Sequence, residues 1–236
     1  MTEYLTGILL LAVVWLSLLL VRRDLKKHIL WGSFGYLFVI MLGWALITIT
    51  SQFTSVGELT VPGYWHPPTL FNLGFITGGL SIEDALFSFL VGGIATVIYE
   101  VVFNSSIKLK VHHRHHLGAF LFGFIFSAAF AFIYKPNPIY ALIAFGLSGA
   151  IFLCVVRRDL ILHSLFGGVL FMLLYFFNFL IFNSWFPYFV DSYYNLKNIS
   201  GIMVLSVPFE ELLYALSFGM LWAPVYEYEH GLKNKK

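Results

Sequence analysis

The sequence predicts an all-α polytopic membrane protein, with seven transmembrane helices arranged as two parallel three-helix repeats joined by a linker helix. Composition gives the class. Of 236 residues, 59% are hydrophobic and only 11% charged, too few charges to cover the surface of a soluble domain this size. Seven apolar runs give the span number, because each approaches the ~20 residues that cross a bilayer as a helix. Their positions are near 5–21, 28–50, 82–103, 117–134, 138–156, 163–183 and 205–226. Self-similarity gives the arrangement: Glu83-Asp84 and Tyr99-Glu100 recur as Glu210-Glu211 and Tyr226-Glu227, both 127 positions later.

The first run is followed by Arg22-Arg23-Asp24-Leu25-Lys26-Lys27 and has no A-x-A-like cleavage site, so it reads as a retained helix. The second begins with His28 and Gly32. The segment Val21-Arg22-Arg23-Asp24-Leu25 with that His and Gly returns as Val156-Arg157-Arg158-Asp159-Leu160 with His163 and Gly167, 135 positions later. The first copy therefore carries eight more residues between its two motifs. Residues 51–80 form a long aromatic connection with Pro62-Gly63-Tyr64-Trp65-His66-Pro67-Pro68, and 183–206 match it with Trp185-Phe186-Pro187-Tyr188. These segments are read either as lids over the acidic helix starts or as interfacial aromatic anchors.

The organisation is thus a first repeat over 1–104, a cytoplasmic His-rich loop and linker helix over 105–136, and a second repeat over 137–236. An axis roughly along the membrane normal relates such parallel copies. Under this layout twelve Lys and Arg fall on one side and two, Lys135 and Lys197, on the other. That imbalance predicts a plasma-membrane protein with its N-terminus outside and its C-terminus in the cytoplasm. A net charge of +2 excludes a nucleic-acid binder, and the single Cys154 excludes an intrachain disulfide.

The acidic pairs carry the chemistry. A carboxylate at the centre of a spanning helix costs ~2.5–3.5 kcal/mol or more, so acids opening two apolar helices point to function rather than ornament. Helix-dipole complementarity alone is the plainer account of each pair taken singly. Neighbouring helical residues point about 100° apart, so one acid of each pair is expected to face the bundle. Glu83 and Glu210 are taken as the inward ones, with Phe87 and Tyr214 one turn further on and Asp84 and Glu211 as partners. Glu100 and Glu227 are expected at solvated cytoplasmic helix ends, and His28 and His163 at the interface. The run His112-His113-Arg114-His115-His116 reads as a solvated loop, because consecutive histidines splay apart, and no metal is expected.

These residues resemble the lycopene cyclase domain family, of heterodimeric or fused type. Trp65-His66, Gly78-Gly79-Leu80, Ile82-Glu83-Asp84-Ala85-Leu86-Phe87 and Ile98-Tyr99-Glu100 match its aromatic loop, its acidic helix start and its terminal Tyr-Glu. Val207-Pro208-Phe209-Glu210-Glu211 through Val225-Tyr226-Glu227-Tyr228 match its second copy. Ser81 stands where the family has proline, and the order of acids in the two pairs is reversed. The resemblance implies a lycopene β-cyclase, an intramolecular lyase or isomerase acting on a hydrophobic linear carotenoid within the bilayer. It implies Glu83, Asp84, Glu210 and Glu211 as the acid/base groups, and Trp65, His66, Phe87, Tyr214 and Trp185 around the substrate. No cofactor is needed, since adding one proton and losing another is redox-neutral. Association with itself or with other carotenoid-pathway enzymes stays open. Two non-enzyme readings stand beside it: a 3+1+3 transporter of the SWEET type, and a carotenoid- or lipid-binding membrane protein without catalysis. An E-E glutamate protease lacks its arginine, since position 215 is Ala, and a retinal receptor lacks a lysine in the last helix.

Overall fold

The computed structural model describes residues 2–51, 63–104, 109–110 and 117–233; of 46–51, 109–110 and 233 only the main chain is described. The His112–His116 run, Pro62 and the rest of 52–62 lie outside these residues. The chain is predominantly helical. Helix α1 (Glu3–Val21) starts at Thr2, whose hydroxyl accepts the Leu5 N–H at 3.3 Å. A 3₁₀ turn, Arg23–Leu25, leads into α2 (Lys26–Ser51). After the short α3 (Leu73–Thr77) comes α4 (Ile82–Val102), opened by a capping box in which Ser81 and Asp84 satisfy each other's backbone N–H. Helix α5 (Gly118–Tyr134) turns at Lys135 into α6 (Pro138–Val156), which has Asn137 as its cap and proline at its first position. A second 3₁₀ turn, Arg158–Leu160, precedes α7 (Ile161–Trp185); α8 (Phe189–Tyr193), α9 (Phe209–Trp222) and α10 (Val225–His230) complete the helices. Two short antiparallel pairs join Leu109–Lys110 to Leu232–Lys233 and Met203–Val204 to Val207–Pro208.

Among the described residues, α1, the segment Arg23–Ala45, α4, α6 and the segment Arg158–Trp185 are long and apolar enough to cross a membrane, and α5 is apolar but shorter, at 17 residues. The single span expected over 205–226 is corrected. A two-stranded hairpin occupies its start, and the helix breaks after Trp222. Pro224 is the physical reason, because it offers no N–H and its ring crowds the preceding turn. At the equivalent place the first copy has Val97, and α4 runs on unbroken.

The segments matched in sequence also pack alike. Helix α2 lies on α4, as α7 lies on α9. A Cβ on Gly32 would stand 2.0 Å from Thr96 Oγ1 and 2.7 Å from the Gly92 carbonyl; one on Gly167 would stand 2.2 Å from the Ala223 Cβ and 3.6 Å from the Gly219 carbonyl. One on Gly92 would meet the Tyr36 Cβ at 2.7 Å, and one on Gly219 the Phe171 Cβ at 2.9 Å. Equivalent glycines thus let both helix pairs close to backbone contact. Between the copies, α4 packs on α7 and on α9, and α10 on α2. The Ile94, Val91, Phe171 and Trp222 side chains fill the shared core.

Candidate active site

At the end of the bundle where α4 and α9 begin, both copies surround one cavity of about 390 Å³. Its lining is mostly aromatic and aliphatic, and its acids are Asp84 and Glu211. The second acid of each pair therefore faces the interior, the reverse of the expectation for Glu83 and Glu210. Glu83 and Glu210 are buried too, at 0% and 1% exposure, but behind the wall. Each binds the segment that precedes its own helix: Glu83 Oε1 accepts the Leu70 N–H at 2.8 Å, and Glu210 Oε1 the Ser200 N–H at 2.9 Å. The Tyr140 hydroxyl also donates to Glu210, at 2.8 Å.

Glu211 sits in a cage of phenols. Tyr64 and Tyr194 donate to its Oε1 at 2.7 and 3.0 Å, and Tyr175 donates to Oε2 at 2.7 Å. Three donors on one buried carboxylate support its charged form by direct hydrogen bonding, set against the cost of its burial. Burial, followed by the charge of Glu211, pushes the Tyr64 and Tyr194 phenols well above their usual value of 10. They are locked as donors. Asp84 accepts the Tyr4 hydroxyl at 2.7 Å on one oxygen and Ser81 on the other. Deeper in, the Tyr36 and Tyr214 hydroxyls lie 2.6 Å apart, with Phe218 stacked on Tyr214.

Of the other site residues expected, Trp65, Phe87 and Tyr214 line the cavity. Trp65 packs edge-on against Tyr4, with ring centres 4.6 Å apart. His66 and Trp185 are not brought in: both are exposed, Trp185 at 55%. His66 contributes its backbone instead, because its N–H binds the Tyr193 carbonyl at 2.8 Å while the Asn195 N–H binds the Tyr64 carbonyl at 2.8 Å. With a bridge between Trp65 and Tyr194, these bonds knit the two long connections together across the cavity. The lid reading therefore suits 64–66 and 193–195, and the anchor reading suits Trp185.

Sequence reasoning missed Tyr4, Tyr36, Tyr64, Tyr175 and Tyr194. They come from five separate segments, and no spacing rule links them. The available signal was polar hydroxyls at mid-helix, at Tyr36 and Tyr175, in long runs that are mostly apolar.

A family model described as "Lycopene cyclase" matches residues 2–102 and 137–229, and so omits the stretch that carries α5. "Protoheme IX farnesyltransferase" from Mycobacterium avium (strain 104) and from Mycolicibacterium paratuberculosis (strain ATCC BAA-968 / K-10) are each 30% identical over 76 residues. That match covers 30% of this chain and 25% of each relative, so the chain spans about a quarter of their length. No solved structure matches.

Proposed function

From the lycopene cyclase family, to which this chain belongs, we propose that it cyclises the linear end of a carotenoid by acid/base chemistry between Asp84 and Glu211. The observation that carries this reading is two carboxylates, one from each repeat, on the wall of a single aromatic cavity. Asp84 is the proton donor. Its carboxyl protonates the terminal alkene of the substrate, and the resulting tertiary cation is attacked by the nearby double bond, which closes the six-membered ring. Glu211 stays ionised within its phenol cage, stabilises the ring cation and removes the adjacent proton, leaving a β-ring. One proton enters and one leaves, so no oxidant, reductant or cofactor is consumed. Phe87, Trp65 and Phe218 turn aromatic surface towards the cation, a contact worth ~2 kcal/mol when desolvated. Each carboxylate accepts three hydrogen bonds, and the assignment of donor and base rests on their kind: three phenols enclose Glu211, whereas Asp84 has one phenol and the N–H and hydroxyl of its own helix cap, Ser81.

The cavity lies within the ~300–1,000 Å³ usual for small-ligand sites. It takes one end of the carotenoid, with the polyene tail passing between helices into the bilayer. In the finer layout we propose, α1, α2 and α4 form one three-helix unit and α6, α7 and α9 with α10 the other, with α5 as linker. The cavity opens near the outer face of the plasma membrane, and the basic turns at Arg22 and Arg157 lie on the cytoplasmic side.

The test is expression in a cell that accumulates lycopene, with extracted pigments separated by chromatography. Cyclic carotenoids in the wild type, absent from Asp84→Asn and Glu211→Gln although both proteins reach the membrane, are expected. Unchanged lycopene with the wild type in the membrane overturns the cyclase reading.

A further inference from the structure

The opposite end of the bundle holds a second cluster, remote from the acids of the cavity. Glu100 on α4, His163 on α7 and Glu227 on α10 each offer a ligand atom, and these atoms lie within 4.8 Å of one another. All three residues are buried, at 0%, 3% and 0% exposure, which corrects the expectation of solvated helix ends for the two glutamates. His163 Nε2 is 3.7 Å from Glu100 Oε1.

We propose that Glu100, His163 and Glu227 hold a divalent transition-metal cation that clasps the two repeats together. The donor set is one imidazole nitrogen and two carboxylates, which suits zinc, manganese or ferrous iron rather than an all-oxygen ion such as calcium. The spacing fits as well. Two ligands each ~2.1 Å from an ion at a tetrahedral angle stand about 3.4 Å apart, close to the histidine–glutamate separation. Two carboxylates so near each other in a water-poor interior repel, and a shared cation removes that cost.

The surroundings hold the ligands in place. The His163 ring stacks on Tyr99, with centres 4.2 Å apart, and its repeat counterpart His28 packs on Tyr226 at 3.8 Å. Behind each glutamate an arginine is forked onto its own aspartate, Arg22 on Asp24 and Arg157 on Asp159. Each also turns Nη1 to the backbone carbonyl of the glutamate, Arg22 to Glu100 at 3.2 Å and Arg157 to Glu227 at 3.5 Å. Both helix ends are thereby fixed, as the supporting contacts of metal sites commonly do. Because Glu100 comes from the first repeat and His163 and Glu227 from the second, the ion would lock one against the other. The clasp does not depend on the cyclase reading, since its readouts are metal content and thermal stability.

The full-length protein, purified in detergent without a chelator or a histidine tag, is assayed for metal by mass spectrometry. About one zinc, manganese or iron per chain is expected. Removal by EDTA should lower the melting temperature, and added Zn²⁺ or Mn²⁺ should restore it. His163→Ala and Glu227→Gln should each lose the ion, whereas replacing His112, His113, His115 and His116 together by Asn should keep it. If those two single variants fail to fold, a Co²⁺-substituted wild type still gives a readout, since a four- or five-coordinate nitrogen and carboxylate site has visible d–d bands much stronger and further to the red than those of hydrated Co²⁺. Wild-type protein with well under one metal per chain and a melting temperature indifferent to EDTA and to added Zn²⁺ or Mn²⁺ overturns the proposal. Retention of the ion by His163→Ala with its loss from the four-histidine variant overturns it too.

Discussion

Glu211 and Glu210 are chain neighbours with different partners, and the contrast yields the sharpest mutational expectations. Loss of a general acid or base commonly costs 10²–10⁴-fold, so Asp84→Asn and Glu211→Gln should each lower the cyclisation rate by at least ~100-fold. Glu83→Gln and Glu210→Gln keep an acceptor oxygen for Leu70 and Ser200, so they should lower thermal stability more than they lower the rate. Equal rate loss in all four variants, by pigment assay at matched protein levels, would sink the division of roles. Removing one cage hydroxyl, as in Tyr175→Phe, takes away a hydrogen bond to a charged group and should cost roughly tenfold, or ~1.5 kcal/mol. The raised Tyr64 and Tyr194 phenols fix a pH expectation. A group whose folded value is raised contributes stability fully below its unfolded value, near 10, and loses it only as pH climbs through the higher folded one. Rate–pH profiles of wild type and Tyr64→Phe should therefore keep the same shape up to about pH 10; a lower limb that vanishes in Tyr64→Phe would contradict this. The acid pairs were legible from the sequence, but the inward member was not. Phe87 lies four residues after Glu83 and three after Asp84, and both spacings share a helix face.

At the level of elements, the close crossings of α2 with α4 and of α7 with α9 set where the acids stand, because α4 and α9 carry them. Enlarging Gly92 forces its Cβ within 2.6 Å of the Gly32 carbonyl and 2.7 Å of the Tyr36 Cβ, and backbone has no rotamer in which to move aside. Gly92→Val should cost ~1–3 kcal/mol or more, seen as a lower melting temperature. Gly43→Ala, with nothing within 4 Å of its Cβ, should leave the melting temperature unchanged. A wild-type-like Gly92→Val would mean that the crossing is looser than these distances require. These glycine pairs explain how the sequence disclosed the repeat: Gly32 and Gly167 stood in the matched segments because each meets an equivalent helix at the same point. The break at Pro224 was concealed by the apolar run that continues across it, in which hydropathy outweighed one proline. The phenol cage was hidden for another reason, since tyrosines on five elements converge only after those elements have packed.

For the molecule as a whole, the proposed reaction draws on both of the matched parts of the chain, and neither carries all of the groups it needs. Asp84 and Tyr4 come from the first repeat, Glu211, Tyr175 and Tyr194 from the second, and Tyr64 crosses over from the first to bind Glu211. Equivalent positions are not chemically equivalent: the counterpart of Tyr4 is Ile139 and that of Tyr36 is Phe171. The reaction we propose is accordingly asymmetric, with an acid held by one phenol and its own helix cap on one side and a carboxylate enclosed by three phenols on the other. Separate halves would expose Val91 and Ile94 of α4 and Phe171 of α7, all at 0% exposure in the whole chain. In lipid, close packing of these side chains and hydrogen bonds across the seam, such as Tyr64 to Glu211, drive reassociation, not the removal of apolar surface from water. A chain cut between His112 and His113 leaves α5 with its partner α6 and Leu109–Lys110 with α4. Co-production of the two halves should therefore give a complex that copurifies and forms cyclic carotenoid, while either half alone forms none. Cyclic product from one half by itself would show that a single repeat holds a working acid/base pair, and would overturn the shared site.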